Sequence, residues 1–215
     1  MRRNTRMKQM LLATALAVGA AWSGPGRAEE PAIAFVRQIG SEMPAVLANA
    51  HTLDEKRARL APFVSRVVDV DAVARYCLGH YWARATASQQ QEYEALFRTV
   101  LINTIALWSG DYQKPGGNTS VTMQTPVVKA DGTYVPTLVQ AGDAPPVHIT
   151  WVVAMNETPP RMLDVMAEGL SVRVTERSDY VSFLSHHDGN IDSLIQILRQ
   201  RARDTGGTLA AAGRH

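Results

Sequence analysis

His186, His187 and Asp188 follow one another, and a bound metal or a proton-transfer step is the chemistry such a run could serve. Adjacent side chains on a helix point about 100° apart and do not grip one ion without further ligands. Gly189 comes next, so the run is expected at a solvated helix end, where imidazoles suit the negative pole of the helix dipole. Ser171, His148 and Asp164 have the residue types of a nucleophilic triad, yet no Gly-x-Ser-x-Gly elbow accompanies any serine. Neither catalytic nor metal-ligating residues are assigned, and no cofactor is expected.

Asp164 and Glu168 are a more interesting pair. On a strand through "LDVMAEG" they share the face opposite the apolar Leu163, Val165 and Ala167. That face meets solvent or a helix terminus, and the expected work of the two carboxylates is to satisfy backbone donors or to pair with Arg161 or Arg177. The alternative is catalytic. Buried in an oily pocket, a carboxyl is pushed toward neutrality and becomes a general base, as in small α+β cone enzymes of the ketosteroid-isomerase-like type. Cys77 is the single cysteine, which rules out an intramolecular disulfide, and its place on an apolar helix face suits a buried thiol.

The elements that must position these groups fall into two halves. Helical spacing links Ile33, Val36, Met43, Val46 and Leu47, with a kink or restart expected at Pro44. Thr52 and Glu55 form a capping box ahead of Leu60, Phe63, Val64 and Val67. A third helix starts at Asp69 and stops at Gly79. The fourth, opened by Thr86 and Gln89, carries Tyr93, Leu96, Phe97, Val100, Leu101, Thr104 and Trp108 along one side. Strand signals begin after "KPGGN": Val121 and Met123, a turn at Asp131-Gly132, a return over 134–139, and a clean alternation over 147–155. Ser178 and Asn190 are expected to cap two closing helices. The fold class is α+β: N-terminal helices and two C-terminal helices on a curved, mainly antiparallel four-stranded sheet enclosing an apolar pocket.

Past Gly169 the apolar residues change parity, to Leu170, Val172 and Val174. A straight strand would turn half of its apolar face into water. Either a bulge at Glu168-Gly169 restores the face, the favoured reading because glycine tolerates the backbone angles, or the strand passes between packing partners. Both bend the sheet, and a bent sheet under helices can leave a space.

The ends are separate problems. Four basic residues among the first eight precede the apolar run 11–22 and "SGPGRA", the layout of a secretory signal cut after Ala28 and too short for a comfortable membrane span. Removing 1–28 leaves 17 basic against 20 acidic residues, so the formal charge passes from +2 to −3, and a nucleic-acid role loses its main support. Residues 29–203 then form a single domain long enough for a core, and the Gly- and Ala-rich tail 204–215 is expected to be disordered.

"LDVMAEGLSV" with "ERSDYVSFL" and "DGNIDSLIQIL" resembles the signature of the MlaC family of periplasmic phospholipid-binding proteins, which includes toluene-tolerance and hopanoid-associated branches. In that family a strand of the form Tyr-Asp-Val-x-Val-Glu-Gly-Val-Ser precedes a Tyr-Arg-Ser-x-Phe helix start. The segment "YCLGHYWARATASQQQEYEALFRTVL" is similar to the family's Leu-Gly-x-x-Trp turn and the Thr-x-x-Gln helix after it. Asp164, Glu168, Gly169, Arg177 and Ser178 match; Leu163, Ala167 and Glu176 depart. The departures bear on lipid selectivity more than on fold.

The resemblance implies a soluble periplasmic carrier, not an enzyme, that shuttles a phospholipid or hopanoid-type lipid between membranes with its acyl chains in an apolar pocket. The partners it implies are an inner-membrane ABC transporter complex with a lipid-binding subunit and an outer-membrane lipoprotein complex. The candidate lipid-binding walls are Phe97, Leu101, Ile105, Trp108 and Tyr112 of the long helix, Trp151, Val153 and Met155 of the clean strand, and Val165, Leu170 and Val172 around the parity change. On this reading Trp151→Glu weakens lipid retention without unfolding the chain.

Overall fold

The computed structural model describes residues 30–109, 119–141, 145–156 and 158–203. The expected signal segment and the tail 204–215 lie outside these residues. Among the described residues no helix is long and apolar enough to cross a membrane.

Helix α1 spans Pro31–Leu47 and α2 spans Leu53–Val67. Pro44 does not restart α1; only Ala45, Val46 and Leu47 follow it in the helix, so the hydrogen bond a proline forfeits falls in the last turn. Thr52 and Glu55 close the expected capping box on α2. Asp69 caps α3, Val70–Leu78, by accepting from the Ala72 N–H, and Gly79 ends it at φ 63. A 3-10 turn, Gly79–Arg84, leads to α4, Ala87–Trp108, whose capping box pairs Thr86 with Gln89.

The sheet contains β1 Thr119–Met123, β2 Val127–Lys129, β3 Gly132–Ala141, β4 Val147–Ala154, β5 Arg161–Ala167 and β6 Leu170–Ser171. Its order is β1-β3-β4-β5-β6, all antiparallel, with β2 also on β3. The strand count exceeds the expected four for two local reasons. One edge strand is broken into β1 and β2, opposite Pro136. The Pro136 carbonyl accepts from the Gln124 N–H at 2.9 Å, so its nitrogen faces the same edge, and with no N–H to offer, the ladder lapses there.

The second reason corrects the reading of the parity change. There is no bulge at Glu168-Gly169. Both residues have positive φ, 48° and 78°, as the two-residue loop of a tight hairpin requires, and β6 turns back on β5 with Ala167 opposite Leu170. Ser171, not Ser178, then caps α5, Val172–Ser185, accepting from the Val174 N–H. Val172 and Val174 are helical. Their β-branched character mimicked a strand, and tertiary context overrode it. A register shift does occur in β5, where Val153 pairs with Met162 but Val152 with Asp164. The extra residue is Leu163, and it lets Met162 and Asp164, two apart, face opposite sides.

His187 Nδ1 lies 2.8 Å from the Phe183 carbonyl and His186 Nδ1 lies 2.7 Å from that of Ser182, at the end of α5. The last described helix is α6, Ile191–Arg203. The core is one cluster drawn from every helix and from β3, β4 and β5. At its centre Tyr93 and Phe97 of α4 meet Tyr180 of α5 edge to face, with Tyr180 centroids 6.3 and 6.4 Å away. Burial raises the Tyr93 and Tyr180 phenols well above their ordinary range.

Candidate functional site

Directly paired residues on antiparallel strands point to the same side. The register therefore assembles one inner face from Val135, Thr137 and Val139 of β3, Ile149, Trp151 and Val153 of β4, and Met162, Val165 and Ala167 of β5. All of these are buried except Val165, which is half-buried against the same cluster. Thr137 brings a hydroxyl into this surface, and its polarity is cancelled locally. It donates to the Ile149 carbonyl at 2.9 Å and accepts the Trp151 indole N–H at 3.1 Å. Thr133, opposite Val153, is a second buried hydroxyl residue on this side, and the rest of the face is hydrocarbon.

Of the expected wall residues, the structure brings Trp151 and Val153 to that face, and Phe97 and Ile105 into the cluster that covers it, with Leu101 half-buried against it. Trp108 ends α4. Tyr112 lies outside the described residues. Three placements differ from expectation. Met155 falls just beyond the end of β4, which stops at Ala154, and is 36% exposed. Leu170 shares the side of its partner Ala167 but at the hairpin edge, 45% exposed. Val172 opens α5 and belongs to no strand. Val135 and Ile149 are inner-face positions that the wall list omitted, although the alternation around Tyr134 and His148 carries that signal.

The carboxylates stand on the opposite side. Asp164 pairs with Val152, away from Trp151, and is 7% exposed. One oxygen accepts from the Val165 N–H at 2.8 Å and the Arg173 N–H at 3.0 Å; the other accepts from the Ser171 hydroxyl at 2.5 Å. Arg173 Nε lies 3.5 Å from Asp164, and its Nη2 bonds Asp131 of the β2–β3 turn at 2.6 Å. Desolvation raises the Asp164 carboxyl above its usual range, against the pull of these donors. The Arg173 and Arg177 guanidiniums both lie over the ring of Tyr76 of α3, 4.7 and 4.9 Å from its centre. Arg177 also donates to the Tyr76 carbonyl and its guanidinium fills the space beside Gly79, where a Cβ would come within 3.0 Å. This cluster latches the strand, the hairpin, α3 and the start of α5 together. The sequence reading has Asp164 satisfy backbone donors or pair with Arg161 or Arg177; it does accept two backbone N–H groups, and the guanidinium beside it is that of Arg173, on a helix that begins seven residues earlier than Ser178 implies.

Glu168 holds the hairpin tip, accepting the His148 N–H at 2.7 Å. His148 is exposed and pairs with Leu138, four positions along β4 from the Asp164 partner Val152, so Ser171, His148 and Asp164 do not assemble. Cys77 is buried with its Sγ 3.6 Å from the Arg173 carbonyl, and burial raises its thiol far above the ordinary range. Among the described residues no three metal-capable side chains come together.

The geometry, then, is an apolar inner face under helices, backed by a polar latch. No curated protein matches the chain in sequence. Among solved structures it is similar to the phospholipid-binding protein from Ralstonia solanacearum, determined in complex with a phospholipid. The identity is 17%, the TM-score 0.60, and the match covers 94% of this chain and 97% of the other. At that identity the likeness is one of fold. The family model of the MlaC protein matches residues 38–200. Matched over most of its length, with the α+β fold on the page, this chain belongs to the MlaC family.

Proposed function

We propose that this chain is a periplasmic lipid carrier: residues 1–28 direct export and are removed after Ala28, and the domain 29–203 takes the acyl chains of a phospholipid, or of a hopanoid-type lipid, between its sheet and helices. It collects and delivers that lipid between the inner and outer membranes, meeting an inner-membrane ABC transporter complex with a lipid-binding subunit and an outer-membrane lipoprotein complex. The observation that carries the reading is the inner face, where Val135, Val139, Ile149, Trp151, Val153, Met162, Val165 and Ala167 form an apolar surface interrupted by Thr133 and by Thr137, the latter satisfied internally. Family membership and the phospholipid held by the Ralstonia protein support it.

The energetics fit a carrier. Two tails of about 16 carbons, at ~0.8 kcal/mol per methylene, represent on the order of 25 kcal/mol against release into water. Exchange with a bilayer is different, because a tail in an apolar pocket is about as well solvated as one in lipid. Transfer between them is near balance and therefore reversible, with direction set by partners. The alcohol of the headgroup stays in solvent at the mouth, which makes the carrier tolerant of headgroup identity. The carboxylate-base alternative has less to stand on, because Asp164 sits on the far side of β5 from the apolar face and its oxygens are committed to three donors.

The test is transfer of a fluorescent phospholipid from donor to acceptor vesicles separated by a dialysis membrane. The mature chain is expected to accelerate it. Leu101→Glu, which places a carboxylate on the half-buried second half of α4, is expected to slow it about tenfold or more, equivalent to ~1.4 kcal/mol, while the protein stays folded. Transfer no faster than the protein-free control would refute the carrier role.

A further inference from the structure

One helix carries a cation where its spacing calls for a hydrocarbon. Leu53, Arg57, Leu60, Val64 and Val67 lie on a single stripe of α2. Leu60, Val64 and Val67 are 0%, 1% and 2% exposed, and Leu53 packs against the same core. Arg57 therefore lies on the core-facing stripe. Its side chain is 22% exposed, and among the described residues only Nη1 has a partner, Asp54 at 2.8 Å, itself 89% exposed. Nε and Nη2 are fully buried and find no acceptor among the described residues.

Which two donors are free matters. Nε–H and Nη2–H form one edge of the guanidinium and point in parallel, the geometry that grips two oxygens of a single phosphate or carboxylate. A buried guanidinium edge without an acceptor is costly, and such an orphan asks for a ligand.

Its position suggests which ligand. α3 lies along the first half of α4, where Tyr93 donates to the Ala74 carbonyl and Arg75 pairs with Glu94. The far end of α2 meets α4 at Arg98, which reaches Ser65. That arrangement leaves α2 the second half of α4, so its early turns lie toward the turns bearing Leu101 and Ile105. At its other end α2 leads into Val68, which bridges Met162 of β5. Arg57 is thus a cation on the core-facing stripe of α2, one turn before Leu60.

We propose that the Nε–Nη2 edge of Arg57 binds the phosphate of the carried phospholipid, fixing the depth to which the acyl chains enter. The proposal rests on the carrier reading and goes beyond it. Entry of the tails must part helices from sheet, and the guanidinium edge meets its acceptor in the same movement. Such a site would prefer a phosphodiester-bearing lipid to one with the same tails and no phosphate, while remaining indifferent to the alcohol beyond the phosphate.

The experiment uses the mature chain, stripped of lipid, and measures uptake of phosphatidylglycerol and of diacylglycerol with identical tails from vesicles, for wild type, Arg57→Met and Arg57→Lys. Wild type is expected to bind phosphatidylglycerol at least tenfold more tightly than Arg57→Met, with Arg57→Lys between them and diacylglycerol uptake unchanged by either substitution. Lipid-free Arg57→Met should melt no lower than wild type, since it removes an unpaired buried cation, and millimolar inorganic phosphate should not displace the lipid. Equal phosphatidylglycerol affinity in wild type and Arg57→Met overturns the inference, as does a parallel loss of both lipids or a lowered Tm, either of which makes Arg57 structural. Displacement by inorganic phosphate would make this a free-phosphate site and overturn the assignment to a headgroup. A wild type that takes up neither lipid overturns the carrier reading, and this inference with it.

Discussion

Asp164→Ala is expected to lower the midpoint of thermal unfolding by roughly 10 °C, from a loss of about 3 kcal/mol at ~2–4 °C per kcal/mol for a domain of this size. The carboxylate accepts from the Val165 N–H, the Ser171 hydroxyl and the Arg173 N–H, and lies beside the Arg173 guanidinium. Truncation orphans all of them in a largely buried place, and the start of α5 loses its anchor to β5. Circular dichroism melts measure it; a midpoint within experimental error of wild type would mean that solvent takes over the carboxylate's bonds. The pH dependence has a definite sign. Because burial raises the Asp164 carboxyl in the folded chain, the native state binds its proton at higher pH than the unfolded state does. Stability from this group therefore rises as pH falls from the folded value toward the ordinary aspartate range, and the desolvation cost is carried in full above it. Asp164→Asn should flatten that part of the curve relative to wild type. Asp131, Glu42 and Glu55 act in the opposite direction, since hydrogen bonds hold their carboxyls low, so the difference between wild type and variant is the quantity to plot.

Trp151→Glu is expected to unfold the domain. From the sequence, position 151 read as a wall where a charge would expel lipid and leave the fold intact. In the structure Trp151 is 4% exposed at the middle of the inner face, with its indole N–H bonded to Thr137. A carboxylate there is an unpaired buried charge in the place of a large aromatic. The cost is on the order of 5 kcal/mol or more, against a total stability of about 5–15. The expected result is a chain without near-ultraviolet dichroism that is rapidly cut by protease. A cooperatively folded Trp151→Glu protein with a near-native midpoint would place solvent beneath β4, contrary to the packing described. Leu101, half-buried, is the better position for separating lipid binding from folding.

The difference between Trp151 and Leu101 shows where the sequence was legible. Capping boxes at Thr52–Glu55 and Thr86–Gln89 were readable because every interaction in them is local. So was the alternation of β4. The break in parity at Gly169 was visible too, but its cause was not. A two-residue hairpin loop and a bulge both call for positive φ, and only the pairing of Ala167 with Leu170 separates them. Reading the strand one segment too far shifted the helix cap from Ser171 to Ser178. That in turn hid Arg173, which as a strand residue would not reach back across the hairpin to Asp164, and whose other partner, Asp131, is distant in sequence. Depth within the cluster is likewise set by long-range packing, so apolar pattern placed Met155 and Leu170 beside Val153 while the structure exposes them. Arg57 had a sequence signal, a cation on the apolar stripe of a helix, and its meaning emerges only when the guanidinium edge is found without an acceptor.

The most direct measurement of the central claim is the lipid content of the mature chain. Purified from a periplasmic extract without detergent and denatured in organic solvent, it should release phospholipid in stoichiometric amount, detected by mass spectrometry. Stripped protein should regain that lipid from vesicles. A chain that carries none as isolated, and acquires none from vesicles, would contradict the account.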